Sequence, residues 1–156
     1  MGTLTAGVEL IAALSELARA LDVRAGTCDL LGGLTGITFT SFDMARQTRY
    51  PPLTLTDGFE IAAGHTTISR LNNAPHIHTH LLVTYRDPSA PNNTAYVGGH
   101  VVQAAVFAVE YTLTVYDGVG IERRPHAASG LALWDVPPLD TAGESPYTVC
   151  YIVITL

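Results

Sequence analysis

Only one stretch of this 156-residue chain carries a helical period. Leu10, Leu14, Leu17 and Leu21 recur at helical spacing, flanked by Ile11 and Ala18, with Glu9, Glu16 and Arg19 on other faces. Asp22 and Gly26 bring it to a stop. A single apolar stripe on a single helix needs a sheet to cover it, and the remainder of the chain reads as strands. The expectation is therefore an α+β fold in which one N-terminal amphipathic helix packs on a mostly antiparallel β-sheet, as a single domain over residues 1–156.

The strand text begins at Thr27 and runs to Phe42, punctuated by Gly32, Gly33 and Gly36, which permit bends or bulges. Tyr50-Pro51-Pro52 reads as a loop, and Phe59 to Ser69 as a pair of strands interrupted near Gly64. Pro75 opens a longer strand through Tyr85, closed by the polar loop from Asp87 to Asn93. Val106 to Tyr116 alternates, with Phe107, Val109, Tyr111, Leu113 and Val115 on one face and Glu110, Thr112 and Thr114 on the other. Asp117-Gly118 ends it as a turn. Leu131 to Trp134 is a short strand, Pro137-Pro138 breaks it, and Tyr147 to Leu156 is an apolar strand suited to a sheet centre.

Charge and composition narrow the function classes. Eight basic residues against 14 acidic ones leave a net charge of −6, and the longest basic run is Arg123-Arg124. Affinity for nucleic acid begins with Lys and Arg neutralising phosphates, so this balance argues against DNA contact by the chain alone. Met1 to Val23 has no basic n-region and carries Glu9 and Glu16, and no apolar run approaches the roughly 20 residues that span a bilayer. Cys28 and Cys150 stand too far apart in sequence for a metal knuckle and read as core residues of a reduced compartment. A cytoplasmic protein without a membrane partner is expected.

Chemistry concentrates in the histidines. Four of the six fall between positions 76 and 100, as Pro75-His76-Ile77-His78-Thr79-His80 and then Gly98-Gly99-His100. Alternation places His76, His78 and His80 in a row on one strand face. Two rings leaning together can share a metal ion, and His100 on the returning strand offers a third ligand. Gly98 and Gly99 would let that backbone approach closely. Three neutral imidazoles with one open position form the pattern of a catalytic-type zinc site, although imidazole also suits iron, nickel or copper. Glu110 is the candidate general base or outer partner of a histidine. Its competing reading is an ordinary solvent-facing glutamate, while His65 and His126 read as surface or core residues.

Other metal and catalytic patterns fit worse. Thr84 and Tyr85 stand where a cupin would carry its glutamate, and His80-Leu81 breaks the metallo-β-lactamase pattern. There is no His-Glu-x-x-His, no Cys-x-x-Cys and no Gly-x-Ser-x-Gly elbow.

The chain resembles the plant and prokaryote conserved (PPC) domain, which in plants accompanies AT-hook segments. The resemblance is carried by the opening helix, Leu30-Leu31-Gly32-Gly33-Leu34-Thr35-Gly36, the stretch from Phe42-Asp43 to Tyr50, the His-x-His strand, Gly98-Gly99-His100 and Val109-Glu110. It implies a helix packed on an antiparallel sheet, a homotrimer, and histidine-ligated zinc in some prokaryotic members. Stand-alone members are commonly labelled DNA-binding by analogy with the plant proteins. That label leans on an Arg-Gly-Arg-Pro element absent here. The family's His-x-His maps onto either His76 and His78 or His78 and His80, and His78 belongs in both cases.

Three functions follow as expectations. One is a trimeric protein binding zinc or another divalent transition metal through His78, His100 and either His80 or His76. Another is a metal-dependent enzyme acting on a small molecule with Glu110 as base. The last is a DNA-associated module acting through partners.

Overall fold

The computed structural model describes residues 1–135. The breaking prolines 137 and 138, the strand expected over 147–156 and Cys150 lie outside the described residues. Nine strands and one α-helix make up the described chain: β1 (Gly2–Thr5), α1 (Leu10–Ala20), β2 (Gly26–Thr40), β3 (Phe42–Asp43), β4 (Thr48–Arg49), β5 (Leu53–Leu71), β6 (Ala74–Arg86), β7 (Thr94–Val115), β8 (Arg123–Pro125) and β9 (Ala132–Trp134). The main sheet runs β1-β7-β2-β5-β6, every pair is antiparallel, and β6 also pairs with β7. Strands β7, β2, β5 and β6 therefore close into a four-stranded barrel, which removes the open edges that an isolated sheet presents.

This overturns the α+β expectation. Strands take up 63% of the described residues, and the helix is only 11 residues long. It is also not the amphipathic element expected. Leu10, Leu14 and Ala18 are buried, Leu17 is half-buried, and Leu21 is 57% exposed as the C-cap. Ala12 and Ala20 share the exposed side with Glu16 and Arg19, so no broad charged face develops. Glu9 is the N-cap, its carboxylate accepting from the backbone N–H of Ile11 at 3.1 Å and of Ala12 at 2.7 Å. It also accepts from the N–H of Ala104 at 2.9 Å, pinning the helix start to β7.

The barrel supplies most of its own core. Cys28, Leu30, Leu34, Ile37 and Phe39 of β2 meet Phe59 and Ile61 of β5, Leu81 and Val83 of β6, and Val101, Val106 and Val109 of β7. The helix adds Leu10 and Leu14, and each buried side chain of this size contributes about 1.5–3 kcal/mol. Burial pushes the Cys28 thiol up to about 11, with the Asp29 charge adding to the effect.

Three strand readings need correction. β5 is one continuous strand across Gly64. β7 runs unbroken from Thr94 past His100 to Val115. Its faces also depart from strict alternation, because Gly33 pairs with Ala108 while Leu34 pairs with Val106. The extra residue is Phe107, which this bulge turns outward to 62% exposure. Close by on β2, where its register against β5 shifts between Asp29 and Gly32, φ of Gly32 is +126° and a Cβ would lie 2.2 Å from the Ala108 carbonyl oxygen.

Candidate metal centre

Along β6, Thr79, Leu81 and Val83 are buried, so His78, His80 and Leu82 point to the opposite face. The β6–β7 register sets His80 directly across from His100. His100 also pairs with Thr40 of β2, and it is the residue at which β7 exchanges β6 for β2 as its neighbour. The close approach there depends on Gly98, where a Cβ would sit 2.6 Å from the Leu81 carbonyl oxygen.

These placements gather three rings. Their centroids stand 4.9 Å apart for His78 and His100, 5.1 Å for His78 and His80, and 5.5 Å for His80 and His100. One ring nitrogen from each lies within 4.8 Å of the others. Tetrahedral zinc, with Zn–N near 2.0–2.1 Å, needs its ligand nitrogens roughly 3.3 Å apart. Side-chain rotation covers that difference, so the three imidazoles fit a metal ion.

His76 lies beyond this group, its ring 6.4 Å from His78, and its buried Nδ1 has no partner among the described residues. Between the two alternatives left by the sequence, the rings that converge with His100 are His78 and His80. Glu110 does not join them. It is exposed on β7, paired with Thr3 and Leu31, ten residues beyond His100 and thus roughly 30 Å along an extended strand. Among the described residues, this candidate general base and the three rings are not brought together. His65 pairs across from His80 yet bonds Asp29 at 3.0 Å, and His126 bonds Ser129 at 2.9 Å.

The electrostatics keep the rings neutral. Burial lowers His78 to about 4, helped by the charges of His100 and Arg123. Burial and the Arg49 charge bring His100 to about 4 and lower His80 as well. Burial and Arg123 lower His76. Neutral imidazole is the form that ligates metal.

Sequence reasoning missed Arg123. It is 8% exposed, and its guanidinium donates from Nε to Ser69 Oγ at 2.8 Å and from Nη1 to the Ala132 carbonyl at 2.9 Å. Its Nη2 reaches Thr67 Oγ1 at 3.4 Å and His78 Nδ1 at 3.3 Å. With the Trp134 ring 5.9 Å away, β8 and β9 are tied to the histidine face. Local sequence offers only the Arg123-Arg124 pair as a signal. Over the cluster lies a cleft of about 480 Å³, lined by the four histidines, Arg49, Arg123 and apolar side chains.

The closed antiparallel barrel is a fold with known members. The family model of the Plants and Prokaryotes Conserved (PCC) domain matches residues 1–117, and the chain belongs to that family. Three solved structures share the fold. A metal-containing protein of Archaeoglobus fulgidus aligns with a TM-score of 0.77 at 23% identity, covering 85% of this chain and 89% of the other. A plant- and prokaryote-conserved protein of Pyrococcus horikoshii gives 0.76 at 22%, covering 88% and 91%. A Ralstonia eutropha protein whose name supposes DNA binding gives 0.73 at 23%, covering 86% and 89%. No curated protein sequence matches the chain. No helix among the described residues is long and apolar enough to cross a membrane.

Proposed function

We propose that this protein binds one divalent transition metal ion, zinc by preference, through His78, His80 and His100. The observation that carries the reading is the convergence of three ring nitrogens within 4.8 Å on one barrel face. An all-nitrogen donor set favours zinc among abundant ions and leaves a fourth position open. When bound, the ion supplies Lewis-acid polarisation of a ligand atom at that position. His78, His80 and His100 hold it, and the closed barrel fixes their backbone positions. The metal-containing Archaeoglobus fulgidus relative supports the reading. A homotrimer belongs to the same proposal, and Leu31 and Phe107, 60% and 62% exposed on neighbouring strands, are surfaces that assembly would cover. Direct DNA binding is the weaker reading, because the chain is acidic and has no Arg-Gly-Arg-Pro element.

Zinc-edge X-ray absorption on the zinc-loaded protein tests the ligand set. The proposal predicts three imidazole nitrogens near 2.0–2.1 Å and one oxygen ligand. A sulfur shell, or a spectrum of hydrated zinc without imidazole scattering, would sink it.

A further inference from the structure

Arg123 is a buried cation facing the metal site, and among the described residues no carboxylate pairs with it. Arg19, Arg46, Arg70 and Arg124 each have an acidic partner, and Arg24 and Arg86, which have none among the described residues, are exposed, so Arg123 is set apart by being both unpaired and buried. Arg49, across the same cleft, likewise has none among the described residues. Buried charges are ordinarily paired, so the cleft holds positive charge that the described residues leave uncompensated.

Donor and acceptor chemistry links this charge to the metal. A guanidinium only donates, so His78 Nδ1, 3.3 Å from Arg123 Nη2, must accept. A neutral imidazole has one lone pair for ligation and one N–H, so with Nδ1 accepting, Nε2 carries the proton and cannot bind metal. If the ion binds Nε2, the proton moves to Nδ1 and faces the Arg123 donor. If it binds Nδ1, it takes the arginine's place. Either route breaks the Arg123–His78 contact.

We propose that metal uptake releases Arg123 Nη2 into the cleft, where it and Arg49 hold the carboxylate of a small organic anion. The apolar body of that anion would lie against Phe42, Met44, Ile77, Leu131 and Leu133, which line the same cleft. A cleft of about 480 Å³ accommodates a molecule of roughly the size of a substituted benzoate. The inference rests on the metal reading and adds to it the class of ligand and the order of events.

Calorimetric titration with benzoate decides it, using zinc-loaded and metal-free protein whose zinc content is measured first. The zinc-loaded protein should bind benzoate at least about tenfold more tightly than the metal-free protein, the effect of one charge-assisted hydrogen bond. Arg49→Gln, an exposed position outside the core, should weaken binding by about the same factor with zinc content unchanged. Arg123→Lys keeps the charge but loses the fork, and should abolish the difference between the two forms. Equal affinity of loaded and metal-free protein, or of wild type and Arg49→Gln, would overturn the inference. So would inorganic phosphate binding where benzoate does not. Failure to take up zinc would sink the metal reading itself, whereas stoichiometric zinc without benzoate binding would sink only this inference.

Discussion

His80 and His100 are register partners across β6 and β7, at the residue where β7 turns from β6 to β2 and the barrel closes. The ligand pair is thus fixed by the same backbone pairing that shapes the fold. His100→Ala should cut metal affinity by more than the roughly 10–100-fold that loss of an outer partner costs. In the metal-free state it should change stability by no more than about 1 kcal/mol, since the ring is only half-buried. Zinc titration against a chromophoric chelator, beside a urea melt, checks both.

His76→Ala separates the two alternatives in the histidine row. Its ring stands outside the converging set, so the variant should hold zinc as tightly as wild type. A loss matching that of His80→Ala would place His76 among the ligands.

Acid should weaken the metal-free protein. Folded His78 and His100 sit near 4, below the ordinary value of 6.5, so between those values the unfolded chain binds more protons than the folded one. Stability is then fully present above about pH 6.5 and declines as pH falls toward 4. Denaturant midpoints across pH 4–7 should show that slope, and replacing both histidines with glutamine should flatten it. A midpoint independent of pH in wild type would contradict the account.

Gly98→Ala probes the close approach of the two strands. The added methyl would stand 2.6 Å from the Leu81 carbonyl oxygen, a backbone atom that can yield only by moving β6. A cost of about 1–3 kcal/mol is expected, with weaker zinc binding because His100 shifts against His80. Thermal melts with and without zinc measure both effects.

Glu110→Gln should leave zinc affinity unchanged. The residue lies far along β7 from the cluster and faces solvent. Altered zinc affinity in this variant would mean that Glu110 reaches a metal site by a route the single chain does not provide.

The sequence made His78 and His80 readable because alternation within one strand is a local rule, and His-x-His obeys it wherever the strand lies. His100 could be proposed as a third ligand, but its placement opposite His80 depends on the count of residues through the Asp87–Asn93 loop. The barrel itself was not legible: closure requires β7 to pair with β6, β2 and β1 along different parts of its length, and no local pattern encodes that. This is also why the helix contributes less than its sequence period suggests. Four strands closing on one another bury their own side chains, leaving α1 only a short row to contribute. Phe107 departs from the face that alternation predicts for a related reason, since a bulge shifts the two-residue period by one. Arg123 reaches His78 across 45 positions of sequence and leaves no trace in either neighbourhood.

The central claim is a metal ion held by His78, His80 and His100, and metal content per chain tests it most directly. Wild-type protein and His100→Ala are purified without a histidine tag or metal-affinity step, incubated with zinc, desalted and assayed by elemental analysis. The account predicts about one zinc per chain in wild type and little in the variant. Wild-type protein that retains no metal, or a variant that retains as much as wild type, would contradict it.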